Sequence, residues 1–189
     1  RHLGLDRLQP PLSGAAQIAR EVLNFLADLG LAIYECWGIT ETCAAATLSP
    51  VGEHRVGTVG KAIPGIEVAL ADDGELLVRG PTVMRGYRGD PQRTAEAIDP
   101  DGWMHTGDIG RIDEDGYVAI IDRKKELIIN SAGKNMSPSN IENALKAACL
   151  LIGSAVAIGD RRPYNTALLV LDPDAAAAFA SAGGLNYPH

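Results

Sequence analysis

The apolar positions fall into three textures along the chain. Ile18, Val22, Phe25, Leu26 and Leu29 recur at helical spacing and Gly30 follows as a stop, which predicts an amphipathic helix over about Gln17–Leu29. The short apolar run Leu31-Ala32-Ile33-Tyr34 predicts a buried strand directly after it, and so an α/β layer. After about Pro50 short segments are punctuated by Gly. Ile66–Leu70 and Glu75–Arg79 flank Asp72-Asp73-Gly74, and Ile109–Ile112 and Tyr117–Ile121 flank Asp113-Glu114-Asp115-Gly116, which predicts two hairpins. Between them Asp90-Pro91 reads as an N-cap followed by Pro at the first helical position, opening a short helix to about Ile98. This stretch, about residues 52–121, reads as a small, mostly antiparallel β module.

A third texture begins at Asp122–Lys125, where we place a domain boundary. Glu126–Asn130 is a strand candidate, followed by the Ser131-Ala132-Gly133 turn. Ser137-Pro138 is another cap-plus-Pro start, with Ile141, Leu145 and Ala148 on one helix face. Ala155–Ile158 and Ala167–Leu171 read as strands, and Asp172-Pro173 opens an Ala-rich helix. The fold class is thus mixed, α/β passing into α+β, with no internal repeat.

Composition narrows the function. Of 189 residues, 46% are hydrophobic and 22% charged, which excludes collagenous and fully disordered chains. The formal net charge of −7 argues against general nucleic-acid binding, which needs a basic footprint. No apolar run is long enough for a membrane span, and Arg1–Asp6 lacks the apolar core of a signal peptide, so a cytoplasmic location is expected. Cys36, Cys43 and Cys149 lack any paired spacing and read as reduced thiols. The chain lacks an initiator Met, so it is expected to begin partway through a longer protein.

Four segments carry candidate chemistry. Ser13-Gly14-Ala15-Ala16 places small residues where backbone can approach a flat ligand, though a tight helix entry would look the same. Glu35-Cys36-Trp37-Gly38-Ile39-Thr40-Glu41-Thr42 follows the expected strand, and ligands sit at the carboxyl ends of strands in α/β sheets. There Trp37 can stack on a base, Thr40 can donate to a phosphate, and Glu41 offers the hard oxygen that Mg²⁺ prefers; an ordinary capped turn is the competing reading. In His105-Thr106-Gly107-Asp108 the carboxylate can accept two hydrogen bonds from vicinal hydroxyls, although Asp beside Gly is more often a turn residue. Asp122-Arg123-Lys124-Lys125-Glu126 brings Arg123 back across the second hairpin toward Asp108, unless it is simply a solvated charged face.

In this order the segments resemble the adenylate-forming enzymes: acyl-CoA synthetases, luciferases and the adenylation domains of peptide synthetases. The resemblance covers nearly the whole chain. It is carried by Gly57-Thr58-Val59-Gly60-Lys61 with Pro64-Gly65, Gly74-Glu75-Leu76 with Arg79-Gly80, and Gly86-Tyr87. Asp101-Gly102-Trp103 leading into Thr106-Gly107-Asp108, and Asp122–Ile129 with Asn135, Pro138 and Ile141-Glu142, are its most typical parts. The Lys-Lys-Glu-Leu-Ile-Ile form and the Ser-Gly-Ala-Ala start are most similar to bacterial long-chain fatty-acid–CoA ligases.

The resemblance implies that residues 1–121 end a large α/β adenylation domain, with the β module at its close, and that 122–189 begin a small α+β lid domain. It implies ATP, Mg²⁺ and CoA as cofactors and a fatty acid as substrate, activated to acyl-AMP and passed to CoA. A ligase that passes the acyl group to a carrier protein, or a non-catalytic nucleotide-binding module, would share these motifs. Gly14, Ala15, Ala16, Glu35, Cys36, Trp37, Gly38 and Ile39 would surround adenine. Thr40 would contact phosphate and Glu41 the Mg²⁺, as the catalytic pair. Asp108 would hold the ribose hydroxyls with Arg123 beside it, Lys125 would be the hinge, and Gly133, Lys134 and Asn135 would face the CoA arm. Trp37 stands where the family usually has Tyr, and Gln17 replaces a frequent Pro. A Lys-containing phosphate loop and a C-terminal catalytic Lys motif are not in this sequence, so the chain by itself is expected to be inactive. Surface uncovered by the missing parts is expected to favour self-association.

Overall fold

A computed structural model describes residues 9–16 and 18–183. The chain divides into two compact units, residues 1–124 and 125–189.

Among the described residues, the first unit holds two four-stranded sheets. In the first, β1 (Leu12–Ser13) runs parallel to β2 (Tyr34–Trp37). β2 then pairs antiparallel with β3 (Thr47–Leu48), and β3 with β4 (Lys61–Ala62). Helix α1 (Arg20–Asp28) connects β1 to β2. It ends in a Schellman motif: Gly30 takes φ +80°, its N–H donates to the Ala27 carbonyl at 2.8 Å, and the Leu31 N–H donates to the Leu26 carbonyl at 2.9 Å. That motif explains a displaced strand. Leu31 is committed to the helix end, so pairing begins only at Tyr34, and the strand runs over Tyr34–Trp37, into the segment expected to follow it. The predicted first helical residue, Gln17, lies outside the described residues, and the described helix begins at Arg20.

The second sheet has the order β5 (Glu67–Leu70), β6 (Glu75–Arg79), β7 (Met104–Ile112) and β8 (Val118–Arg123), antiparallel throughout. Both predicted hairpins are present. β4 belongs to the first sheet, so the antiparallel sheet proper starts at Glu67. α2 (Pro91–Ala97) lies between β6 and β7, capped by the Asp90 carboxylate, which accepts from the Arg93 N–H at 2.9 Å. The core gathers Trp37, Ala46, Ile66, Leu76, Val78, Met104 and Val118. Residues 106–108, for which a turn was the competing reading, are the middle of β7. Burial alternates along that strand, with Met104, Thr106, Asp108 and Gly110 inward, so Thr106 and Asp108 sit at interior positions.

The second unit contains the short hairpin β9 (Ile128–Ile129) and β10 (Asn135–Met136), then α3 (Pro138–Ala148). β11 (Ile152–Ile158) and β12 (Thr166–Leu171) form an antiparallel pair, followed by α4 (Pro173–Ala182). Ser137 and Asp172 cap their helices through the Asn140 and Ala175 N–H groups, at 3.1 and 2.8 Å. Glu142 on α3 accepts from the Ala157 N–H at 2.9 Å, fixing that helix against β11.

Leu76 is fully buried at the centre of the second sheet. Leu76→Ala should cost about 2–5 kcal/mol of unfolding free energy. Chemical denaturation monitored at Trp37 and Trp103 checks this; a loss under about 1 kcal/mol would mean that the site collapses around the deletion.

Candidate functional site

The site is built where β7 fails to keep step with β6. Glu75 pairs with Ile109 and Leu77 with His105, so Leu76 alone faces Thr106, Gly107 and Asp108. Surplus residues in one strand re-aim its side chains. Gly107 takes φ +74°, a left-handed conformation that suits Gly, and the Thr106 hydroxyl donates to the Leu76 carbonyl at 2.6 Å. The ladder is thus closed by a side chain, and Asp108 is held with 3% of its surface exposed.

Two partners grip that buried carboxylate. The Trp37 indole N–H donates to Oδ2 at 2.7 Å, and Arg123 Nε meets Oδ1 at 2.8 Å. Asp108 and Arg123 are register partners of β7 and β8, so the hairpin brings them together directly. Burial pushes the Asp108 carboxyl above the usual range, against the opposing pull of Trp37 and Arg123. A carboxylate offers about four lone-pair positions, so two such contacts leave acceptor capacity for a pair of hydroxyls. Trp37 itself is 8% exposed and part of the core. In this geometry its evident task is to orient Asp108.

The other predicted residues of the first unit cluster along the same strand. Gly14 follows β1 and lies against Cys36; a Cβ there would come within 2.7 Å of Cys36 Sγ. Ala15 holds φ +71° although it is not Gly, and Ala15 and Ala16 are exposed. Glu35 lies on β2, its carboxyl pushed up by burial. Gly38 abuts the Ala44 carbonyl so closely that no Cβ fits. Ile39 begins the 3₁₀ turn Thr40–Thr42, where Thr40 is exposed and Thr42 is fully buried. Thr42 both accepts from the Ile39 N–H and donates to the Ile39 carbonyl, each at 3.0 Å.

Glu41, next in that turn, is fixed from outside it. The Tyr87 hydroxyl donates to Glu41 Oε1 at 2.8 Å, and the Met84 N–H donates to the Glu41 carbonyl at 2.7 Å. Tyr87 is in turn anchored to α2, its N–H donating to Thr94 Oγ1 at 2.9 Å. Among the described residues no group of three or more His, Cys, Asp or Glu is arranged to hold a metal. A single oriented carboxylate beside a hydroxyl nevertheless suits Mg²⁺, which is commonly held by one or two carboxylates plus substrate phosphates.

In the second unit, Lys125 is exposed at its first position. Gly133, Lys134 and Asn135 form the exposed turn and second strand of the β9–β10 hairpin. Asn130 builds that turn: its Oδ1 accepts from the Ala132 and Lys134 N–H groups at 3.0 and 2.9 Å. Sequence reasoning assigned no role to Asn130, to Tyr87 or to Glu75. Glu75 is 5% exposed at the start of β6, and a charged residue opening a core strand was the available signal.

A bulged antiparallel sheet presenting a buried carboxylate, joined to an α/β layer and followed by a separate small α+β unit, defines an adenylate-forming type of architecture. The AMP-binding enzyme family is matched over residues 2–88 and the AMP-binding enzyme C-terminal domain over residues 125–182. The chain belongs to the AMP-binding enzyme family. Relatives include fadD11 of Mycobacterium tuberculosis (strain CDC 1551 / Oshkosh), described as a fatty-acid–CoA ligase: 56% identical over 97% of this chain and 32% of that protein. Long-chain-fatty-acid–CoA ligase FadD15 of Mycobacterium bovis is 44% identical over 87% of this chain and 27% of its own length. The chain therefore spans about a third of these relatives. Among solved structures, o-succinylbenzoate CoA synthetase of Bacillus subtilis bound to its acyl-adenylate intermediate gives a TM-score of 0.76 at 25% identity, covering 94% of this chain and 39% of that one. The same enzyme with ATP and magnesium ion gives 0.74 at 27% identity, covering 85% and 36%.

The raised Asp108 carboxyl has a stability consequence. A folded-state value above the unfolded one means that stability falls as pH rises from the ordinary Asp value, about 3.9, through the raised value. Asp108→Asn removes that loss. The variant should melt no lower than wild type at pH 7, with its advantage shrinking toward pH 3. Melting temperatures of both proteins across pH 3–8 check this; a wild type that gains on the variant as pH rises would mean that Arg123 and Trp37 outweigh burial.

Proposed function

We propose that this chain forms part of an ATP-dependent fatty-acid–CoA ligase, supplying the ribose-holding wall of the nucleotide site and the start of the mobile small domain. The observation that carries the reading is the Asp108 carboxylate, buried yet gripped from two sides by Trp37 and Arg123 in a chain of the AMP-binding family. Burial of an ionisable group at evident cost is characteristic of a site kept for ligand recognition.

In this reading Asp108 accepts hydrogen bonds from both ribose hydroxyls while Arg123 and Trp37 hold its plane. Gly14, Ala15 and Ala16 with residues 35–39 form the backbone wall against adenine. Thr40 donates its hydroxyl to phosphate. Glu41, oriented by Tyr87, holds Mg²⁺, which would offset phosphate charge while the carboxylic acid is activated. The acyl carboxylate attacks the α-phosphorus, pyrophosphate leaves, and the CoA thiol then displaces AMP from the mixed anhydride. Positioning and charge stabilisation supply most of the rate. The small unit swivels at Lys125 between the two half-reactions, and Gly133-Lys134-Asn135 turns toward the CoA arm in the second. No described helix is long and apolar enough to cross a membrane.

Asp108→Ala in the full-length enzyme tests the reading. Loss of hydrogen bonds to a charged group is worth about 1.5–3 kcal/mol, so AMP and ATP affinity measured by calorimetry should fall about ten- to a hundredfold. Unchanged affinity would return Asp108 to a purely structural role.

The swivel is tested separately. Lys125→Pro fixes φ and removes an N–H at the boundary between the units. Pyrophosphate exchange should persist, while thioester formation falls at least about tenfold, equivalent to about 1.4 kcal/mol of barrier. Lys125→Ala should do little to either. Equal loss in both half-reactions of the Pro variant would point to misfolding, and no loss would move the pivot elsewhere.

A further inference from the structure

Glu75 is a buried carboxylate that the proposed chemistry does not use, and its two oxygens point to two different places. Oε1 accepts from the Gly107 N–H at 2.8 Å, in the bulge that sets Asp108. Oε2 accepts from Lys124 Nζ at 2.9 Å and lies 3.2 Å from His105 Nδ1. Lys124 also pairs with Asp73 Oδ2 at 2.5 Å, and its own N–H donates to the Gly107 carbonyl at 2.7 Å. Lys124 is the last residue of the first unit. One carboxylate therefore joins the left-handed residue before Asp108 to the residue before the unit boundary.

Packing alone does not require this. Glu75 is 5% exposed, and a core strand position normally takes an apolar residue. Burial pushes its carboxyl up, but Lys124, the Gly107 N–H and His105 together outweigh it and hold the group below its usual value. An ionised, fully partnered carboxylate is a stiff strut, because every departure from the geometry leaves a buried charge short of a partner.

Resting on the nucleotide-site reading above, we infer that Glu75 is a positioning residue with two separable duties: through Gly107 it sets the ribose-holding Asp108, and through Lys124 it stops the unit boundary from fraying back into β8. The two duties lie on different oxygens, so two variants separate them. Glu75→Gln removes the charge on which both contacts draw and leaves one acceptor oxygen for the Gly107 N–H and Lys124 donors, so it weakens both arms. Lys124→Met removes the cation and leaves the Gly107 contact in place.

The experiment compares both variants with wild type in the full-length protein by three readouts: AMP affinity by calorimetry, hydrogen exchange at the Gly107 amide, and the rate of tryptic cleavage after Arg123 and Lys125. Glu75→Gln should weaken AMP about tenfold, speed Gly107 exchange at least about tenfold, and speed cleavage at least about threefold. Lys124→Met should speed cleavage to a similar extent while Gly107 exchange stays within about twofold of wild type. A merely structural Glu75 would move all three readouts together in both variants, in proportion to lost stability, and that result overturns the inference. Normal AMP affinity in Glu75→Gln also overturns it. If Glu75→Gln does not fold, Lys124→Met decides alone: unchanged cleavage, or Gly107 exchange accelerated along with it, overturns the inference. Asp108→Ala run alongside keeps the two proposals apart. If it spares AMP binding, the nucleotide reading itself fails; if it abolishes binding while Glu75→Gln does not weaken it, only the role of Glu75 fails.

Discussion

The site depends on one mismatch of register: three residues of β7 stand opposite one residue of β6. An antiparallel ladder cannot absorb that surplus without either unpaired groups or a fold in the longer strand. Here the Thr106 hydroxyl supplies the missing bond to Leu76, Gly107 takes the left-handed conformation, and Asp108 is delivered inward beside Trp37. β8 then meets the displaced strand so that Asp108 and Arg123 become partners, and Lys124 bonds back to Gly107. A regular ladder would place none of these groups together.

Two buried carboxylates flank the bulge and are treated in opposite ways. Glu75 is held below its usual value because its contacts with Lys124, Gly107 and His105 exceed the cost of burial. Asp108 is pushed above its usual value because Trp37 and Arg123 do not fully offset that cost. Neighbouring acids whose environments drive them apart commonly divide a task, and in the proposed reading the partition is between support by Glu75 and recognition by Asp108. The satisfied acid is bonded into the bulge through the Gly107 N–H, and the under-satisfied one keeps spare acceptor capacity.

Much of this was legible in the sequence where a local rule governs the outcome. Asp90-Pro91, Ser137-Pro138 and Asp172-Pro173 each open a helix, because a cap followed by Pro acts within one turn of chain. The Asp-Gly turns between β5 and β6 and between β7 and β8 likewise declare themselves. What escaped depends on pairing at a distance. Thr106-Gly107-Asp108 carries the local signature of a turn and becomes strand only because β6 and β8 lie on either side. Leu31–Ile33 looks like the strand, yet the helix end consumes its first N–H and the pairing partner of β2, Leu12–Ser13, starts it at Tyr34. Tyr87 and Glu41 are 46 positions apart, and no spacing rule links them. The motif resemblance brought the candidate residues into view; the interactions among them are a property of the fold.

Backbone strain marks the remaining part of the site. Ala15, Cys43 and Ala44 have φ values of +71°, +53° and +91°, a region that costs a residue bearing a Cβ about 1–3 kcal/mol. Ala15 follows β1, and Cys43 and Ala44 follow the Thr40–Thr42 turn, so the cost falls on the two segments beside the Gly14–Cys36 contact and Glu41. The second segment is held by the buried Thr42 hydroxyl, which bridges to the Ala44 carbonyl at 3.2 Å, and by the Ala46 N–H on the Trp37 carbonyl at 2.7 Å. Gly38 completes the fold-back, since any side chain there would strike the Ala44 carbonyl. The chain is thereby pressed onto the end of β2, and Glu41 is carried at the apex of a segment that cannot relax without breaking these contacts. A carboxylate placed on strained but over-determined backbone needs little further ordering to take up a ligand, and under the proposed Mg²⁺ role of Glu41 that is the physical advantage that offsets the strain.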